Sequence, residues 1–336
     1  MKDRRILIET RVGSYLYGTN RPESDDDFQG VFMPSREDLL GVQSCAKEWS
    51  LSTKISEGVS NVKGDVDRKF YSLKRFFHLA AEGQPGQLEL FFTTPEMTVS
   101  YDPIWSEILD NIGLFLSKKS IVPFIGFALS QAHKATMKGE TLNKLQRIIQ
   151  WYDTELYAPQ QQGSILDVAK EMTIVDEKTK EGTFKLAHDI QLKYVVNKEG
   201  FVLAEVGGKT YDIKLKLKTF VNNLKELEAR YGSRSRSAAE GKYDYKSLMH
   251  AYRLLGEGEE LLKYGKITFP RPPADVEFLK SVRLGTCGDL DHWTELTNKI
   301  DRLRQEVEPK SHLPKEANHA KINELCIDIL SRELRK

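Results

Sequence analysis

Residues 13–19 read Gly-Ser-Tyr-Leu-Tyr-Gly-Thr, and residues 24–31 read Ser-Asp-Asp-Asp-Phe-Gln-Gly-Val. The first stretch is typical of a tight turn, because glycine adopts turn conformations at the lowest steric cost. The second stretch predicts a β-strand, in which successive side chains point to opposite faces. Asp25 and Asp27 therefore share one face of the strand, whereas Asp26 points to the other.

The two carboxylates on one face indicate a cation site. Neighbouring carboxylates repel each other unless a cation lies between them. Mg²⁺ prefers oxygen ligands and is commonly bound together with substrate phosphates, for which the turn at Gly13 and Ser14 offers backbone N–H groups and a hydroxyl. The alternative is an acidic loop, but apolar residues 6–8 and 31–32 favour a strand, a turn and a second strand.

The ordered run resembles the nucleotidyltransferases of the DNA polymerase β superfamily, and within it the predicted nucleotidyltransferases associated with RNA ligases. The shared pattern is Gly-Ser, Tyr-Gly-Thr, Ser-Asp-x-Asp, Gly-Val-Phe and Pro, found here at residues 13–14, 17–19, 24–27, 30–32 and 34. A second block, residues 243–262, is similar to the C-terminal block of the same family. The resemblance implies an α+β fold.

The expected α+β chain has two domains. The first, residues 1–118, is a minimal nucleotidyltransferase domain with a mixed twisted sheet and helices. The second, residues 119–336, is mainly helical, with helices predicted at 124–137 and 142–152. Alternating and β-branched residues predict an inserted β-meander near residues 183–217.

A third carboxylate usually completes the metal site in the family that the chain resembles. Asp67 is the preferred residue, because it opens the strand predicted at residues 66–71. Asp65 would share its face, and Glu89 is a more distant alternative. The resemblance thus implies that Asp25, Asp27 and one further acid bind metal and are catalytic.

Lys246, His250 and Arg253 form a second candidate group. Their i, i+4, i+7 spacing places them on one face of a predicted helix. Lys and Arg side chains bind phosphate well, so we predict that this face holds the triphosphate or base of a nucleotide, together with Gly13 and Ser14. A solvated basic face is the alternative reading of the same spacing.

Composition limits the remaining classes. The 336 residues contain 50 Lys and Arg, 49 Asp and Glu and three cysteines, with a formal net charge of +1. No CxxC pair, Walker A motif, GxGxxG after a strand, HExxH or GxSxG occurs, which argues against zinc knuckles, P-loop enzymes, dinucleotide enzymes, zincins and α/β-hydrolases. Scattered cysteines and the lack of a long apolar run predict a cytoplasmic protein without a membrane partner.

The resemblance implies transfer of a nucleoside monophosphate from an NTP to an acceptor hydroxyl, with Mg²⁺ or Mn²⁺ as cofactor and pyrophosphate as the leaving group. An RNA end, similar to that of a tRNA, is one acceptor that it implies. A protein acceptor would instead make the chain an AMPylator or a toxin-like modifier. A nucleotide-binding sensor without catalysis is a third hypothesis, disfavoured by the retained carboxylate pair.

Overall fold

The computed structural model describes residues 4–22, 24–42, 47–53, 66–156, 160–178, 180–229, 243–288 and 290–335, without the side chains of residues 136–140. The chain divides into two compact units. The first combines Met1–Ala132 with Lys246–Lys336, and the second is His133–Tyr245. Within the residues so described, no helix is both long and apolar enough to cross a membrane.

The helices are introduced here in chain order. They are α1 (Ser14–Tyr17), α2 (Arg36–Leu40), α3 (Leu73–Ala81), α4 (Pro85–Leu90), α5 (Pro103–Asp110), α6 (Ile121–Gln150), α7 (Ile165–Val168), α8 (Leu217–Ala229), α9 (Tyr245–Tyr264), α10 (Pro273–Leu284), α11 (His292–Arg302) and α12 (His319–Leu334). Local sequence explains where several begin. Ser35 and Asp38 form a reciprocal capping box at α2, and the Ser72 hydroxyl caps α3.

The first unit contains a mixed five-stranded sheet. Its strands are β1 (Ile6–Arg11), β2 (Asp26–Phe32), β3 (Glu48–Ser52), β4 (Val66–Ser72) and β5 (Thr98–Tyr101). Their order across the sheet is β3-β4-β2-β1-β5. Strands β2 and β4 are parallel, and the other neighbours are antiparallel. The predicted α+β class, with a mixed sheet and helices, is confirmed.

An aromatic cluster packs the helices of the first unit. Its members are buried side chains whose contacting rings have centroids 5.1 to 6.3 Å apart: Phe76, Phe77, Phe91, Trp105 and Phe115. Burying an aromatic side chain of this size contributes roughly 1.5–3 kcal/mol. The cluster joins α3 and α5 to the segment after α4.

The second unit is built on an antiparallel β-meander. Its strands are β6 (Lys170–Asp176), β7 (Glu181–Ala187), β8 (Ile190–Val196), β9 (Val202–Val206) and β10 (Lys209–Asp212), ordered β10-β9-β8-β7-β6. Phe184, Leu192 and Phe220 are fully buried in its core. The predicted meander is therefore present, and it has an additional edge strand, β6. All seven residues of β6 are exposed, so its sequence lacks the alternation that marks a half-buried strand.

The structure divides the chain differently from the prediction. The two helices predicted at 124–137 and 142–152 are one continuous helix, α6. The domain boundary predicted at residue 118 does not separate the two units, because the C-terminal segment, Lys246–Lys336, belongs to the same unit as the first sheet and its helices. The N–H of Lys118 donates to the carbonyl of Pro314, and the N–H of Asn318 donates to that of Leu114, each at 2.8 Å.

Candidate active site

The turn between β1 and β2 packs closely against the Asp27 carboxylate. Gly13 has φ 66° and ψ −143°, a backbone conformation that favours glycine. A Cβ atom added to Gly13 would lie 2.8 Å from Oδ2 of Asp27. The N–H of Val12 also donates to the carbonyl oxygen of Asp27 at 2.8 Å. Residue 13 therefore needs to be glycine both for its conformation and for its closeness to Asp27.

Two of the predicted metal ligands occupy paired positions on neighbouring strands. Asp27 of β2 and Asp67 of β4 are register partners in the parallel pair. Paired residues of adjacent strands point to the same face, and such strands lie about 4.8 Å apart. Asp25 precedes β2 directly, and all three acids are partly exposed. Asp67 is thus brought beside Asp27, whereas Asp65 lies outside the described residues.

The middle acid of the run has a different environment. The guanidinium of Arg11 forms an ion pair with Asp26 and lies over the ring of Tyr15, with 3.2 Å between Cζ and the ring centroid. Arg11 is also the register partner of Phe28, which has the same strand parity as Asp26. Asp26 and Asp27 therefore lie on opposite faces of β2, as the strand period predicts.

The chemistry of the donor set fits a hard divalent cation. Asp25, Asp27 and Asp67 offer only oxygen ligands, which Mg²⁺ and Mn²⁺ prefer, and Gly13 leaves open the space beside Asp27 that a Cβ would fill. In the part of the chain that the structure describes, no three His, Cys, Asp or Glu side chains are grouped closely enough to hold a metal ion. The strand register supplies neighbouring positions, and side-chain rotation would be needed to gather the ligands.

The second predicted group lies on α9. Lys246 and His250 are partly exposed on this helix, but the Arg253 side chain is only 8% exposed. Nη1 of Arg253 donates to Oε1 of Glu89 at 2.8 Å and to the two carboxylate oxygens of Glu257 at 2.8 and 2.7 Å. This differs from the predicted role of Arg253 as a phosphate contact, because two buried acids already engage its guanidinium.

Tyr17 completes this group, which we name the Arg253 cluster: Tyr17, Glu89, Arg253 and Glu257. The Tyr17 hydroxyl donates to Oε2 of Glu89 at 2.8 Å, and Cζ of Arg253 lies 3.9 Å from the centroid of the Tyr17 ring. Glu89, at 4% exposure, thus accepts a hydrogen bond on each carboxylate oxygen. The structure therefore uses Glu89, an alternative third metal ligand, inside this cluster.

Burial governs protonation in the Arg253 cluster. Burial raises the pKa of Glu257 to about 8, and the attraction of Arg253 only partly opposes this. Burial also raises the pKa of Tyr17 well above its usual value, so its phenol keeps the proton that it donates to Glu89. Burial lowers the pKa of Arg253, but Glu257, Tyr17 and Glu89 outweigh it, so that pKa lies above the ordinary value.

Three residues of this region were missed by sequence reasoning: Tyr17, Glu257 and Arg271. The N–H of Arg271 donates to the carbonyl oxygen of Tyr17 at 3.3 Å, and its side chain, 4% exposed, bonds Asp275 at 2.8 Å. The i, i+4 spacing of Arg253 and Glu257 is a readable signal for an ion pair on a helix. No local signal connects Tyr17 with either arginine.

Fold and site together define a class of protein. A mixed sheet that carries a Gly-Ser turn against an Asp-x-Asp strand, with another Asp on the adjacent strand, is the arrangement of the DNA polymerase β-like nucleotidyltransferase superfamily. The sequence profile of the RNA repair pathway DNA polymerase beta family matches residues 1–154. An uncharacterized 38.9 kDa protein from the nrdC–mobD intergenic region of Enterobacteria phage T4 is 31% identical over 295 residues, which is 84% of this chain and 83% of the phage protein. No solved structure matches the chain. The chain belongs to the RNA repair pathway DNA polymerase beta family.

Proposed function

We propose that the protein transfers a nucleoside monophosphate from an NTP to the hydroxyl of an RNA end and releases pyrophosphate. The observation that carries this proposal is the juxtaposition of Gly13, Asp27 and Asp67, made by the turn and by the register of β2 and β4. A phosphate-binding turn beside paired carboxylates is what metal-assisted phosphoryl chemistry requires. The family's description as an RNA repair family supports RNA as the acceptor.

The proposed reaction assigns a role to each element of the site. The acceptor oxygen forms a bond to the α-phosphorus, and the bond from that phosphorus to the bridging oxygen breaks, so pyrophosphate leaves. Ser14 and the backbone of the turn hold the β- and γ-phosphates. Asp25 and Asp27 would hold Mg²⁺ or Mn²⁺, which when bound neutralises phosphate charge and lowers the pKa of the acceptor hydroxyl. Asp67 serves the acceptor side, and the hydroxyl proton passes by way of its carboxylate to water.

Helix α9 offers fewer direct contacts to the proposed nucleotide site than the sequence predicts. Lys246 and His250 remain candidates for contacts with the triphosphate or base, because both are partly exposed on α9. Arg253 is not retained as a direct contact, since its guanidinium is engaged by Glu89 and Glu257.

A labelling experiment tests the function and the acceptor together. The protein is incubated with Mg²⁺ or Mn²⁺, each of the four NTPs labelled at the α-phosphate, and either RNA or a cell lysate. Label that appears on RNA with the wild-type protein but not with Asp27→Asn supports the proposal. Asp26→Asn is the control, because it retains both Asp25 and Asp27. Label on protein would make the RNA acceptor wrong, and nucleotide binding without any transfer would favour a sensor.

A further inference from the structure

The turn at Gly13 and Ser14 is anchored at its far end by residues from the C-terminal segment. Tyr17 is the last residue of α1, and its side chain is 7% exposed. Its N–H donates to the carbonyl oxygen of Gly13 at 3.2 Å, and the N–H of Thr19 donates to that of Ser14 at 2.9 Å. Contacts that fix the position of Tyr17 therefore also fix the positions of Gly13 and Ser14, because all three residues belong to one hydrogen-bonded helical turn.

Arg253 contacts Tyr17 in two ways. Its guanidinium lies over the phenol ring, and its Nη1 atom binds the carboxylate of Glu89 that receives the Tyr17 hydroxyl. Arg253 thus contacts the ring directly and is linked to the hydroxyl through Glu89. A cation over an aromatic ring is most stabilising when both groups are desolvated, as they are here.

Main-chain contacts hold the same residue from another side. The N–H of Arg271 donates to the carbonyl oxygen of Tyr17 at 3.3 Å. At the following residue, a Cβ added to Gly18 would lie 3.3 Å from Cβ of Pro270. The end of α1 is therefore in close contact with the segment between α9 and α10, in addition to its contact with Arg253.

Direct contact between Arg253 and a nucleotide would disrupt this arrangement. Withdrawing the guanidinium would leave Glu89 and Glu257, which are 4% and 0% exposed, without the cation that both now contact. A buried carboxylate that loses its counter-charge is strongly disfavoured. Arg253 consequently affects the turn through Tyr17 and Glu89, without contacting the nucleotide.

We propose that Arg253 is a positioning residue that holds the phosphate-binding turn in place through Tyr17 and Glu89. The inference rests on the proposed function where it concerns NTP, but the order of the turn is measurable without catalysis. Phosphate contacts through backbone N–H groups depend on positions held to within about 0.5 Å. A displacement of about 1 Å at a reacting centre lowers rates on the order of a hundredfold.

Two variants and one control test this role. Arg253→Lys keeps the charge but removes the planar guanidinium, and Tyr17→Phe removes only the hydroxyl that donates to Glu89. Arg302→Gln is the control, because Arg302 pairs with Glu259 through a side chain that is 44% exposed. Hydrogen exchange of residues 13–19 is compared with that of residues 183–206 in the second unit, and KM for NTP is compared with KM for the acceptor.

We expect Arg253→Lys to raise KM for NTP at least about tenfold and to speed exchange of residues 13–19, with KM for the acceptor within about twofold. Tyr17→Phe should raise KM for NTP and speed exchange of residues 13–19 by smaller factors. This second variant keeps the test valid if Arg253→Lys fails to fold. The inference is wrong if these variants lose thermal stability while KM for NTP and exchange of the turn remain as in wild type. If the wild-type protein shows no transfer, the proposed function fails, and hydrogen exchange still decides the role of Arg253.

Discussion

The first unit contains two pairs of acids with opposite surroundings. Asp27 and Asp67 lie side by side on neighbouring strands and remain partly exposed, whereas Glu89 and Glu257 are buried around one guanidinium. A buried carboxylate needs a counter-charge or proton from within the protein, because removing it from water is costly. A partly exposed carboxylate can exchange its partners with solvent and ligand. The comparison teaches that burial, rather than residue type, separates the proposed metal site from the structural ion cluster.

Neutralising one exposed acid should have the largest effect on catalysis. Asp27→Asn is expected to lower the rate of the proposed transfer by at least about 1,000-fold, equivalent to about 4 kcal/mol, because it removes a proposed metal ligand beside the turn. Single-turnover rates with a labelled NTP measure the effect.

Asp26→Asn is the matched control for that substitution. Asp26 is the neighbouring residue of the same type, but it pairs with Arg11 on the other face of β2. Its substitution should change the rate by less than about tenfold. Equal losses for Asp26→Asn and Asp27→Asn would contradict the assignment of the two faces.

Removing the buried cation should instead affect stability first. Arg253→Met is expected to lower the free energy of unfolding by about 3 kcal/mol, because it leaves the Glu89 carboxylate buried without its counter-charge and Glu257 without its hydrogen-bond donor. Addition of Glu89→Gln should recover part of the loss. Urea denaturation measures both variants.

Loss of the ion pair between the exposed Arg302 and Glu259 is the control for the destabilisation by Arg253→Met. Arg302→Gln should change the free energy of unfolding by less than about 1 kcal/mol, because the Arg302 side chain is 44% exposed. A similar destabilisation by both Arg substitutions would show that burial is not the deciding variable.

A substitution at the turn distinguishes backbone strain from steric conflict at the site. Gly13→Ala should cost about 1–2 kcal/mol of stability from the positive φ, and it should lower transfer about tenfold or more as Asp27 is displaced. Gly200→Ala has the same type of strain, with φ +85° and no atom within 4 Å of the added Cβ. It should lose stability with no loss of transfer. Loss of transfer in both variants would argue against a specific contact between Gly13 and Asp27.

A further expected effect is a gradual pH dependence of stability that accumulates over several pH units. Glu257 has an ordinary pKa of 4.5 and a folded-state pKa of about 8, raised by burial. Between these values the folded protein holds a proton that the unfolded chain has lost, so stability falls as pH rises, by up to about 1.4 kcal/mol per pH unit. Glu257→Gln should remove this contribution in denaturation series between about pH 5 and 8. Parallel pH profiles for wild type and variant would contradict the assignment to Glu257.

Local sequence predicts how the partly exposed acids at residues 25–27 are divided between the two faces of the strand. The period of two places Asp25 and Asp27 on one face and Asp26 on the other, and that rule holds whatever the remainder of the chain does. The choice of Asp67 used the family pattern, and the parallel register with Asp27 is consistent with it. The roles of these residues in catalysis remain predictions.

The Arg253 cluster was beyond local reasoning for a physical reason. Helix spacing predicts that Lys246, His250 and Arg253 share a face, but it carries no information about what packs on that face. The partner Glu89 is 164 residues away in the chain. Long-range packing also explains the different unit boundaries, since 246–336 joins the first unit, whereas the two helices predicted at 124–137 and 142–152 form the single helix α6.

The distance between Glu89 and Arg253 along the chain also has a consequence during synthesis. At common elongation speeds, a separation of 164 residues means that Glu89 is translated roughly 8–30 s before Arg253. Throughout that interval the nascent chain has its turn and its acids, but not the cation that anchors Tyr17. A ribosome that stops early therefore releases a product with the acids of the proposed metal site and an unanchored turn, and competence for the proposed transfer is expected only when the codon for Arg253, in the last third of the message, has been read.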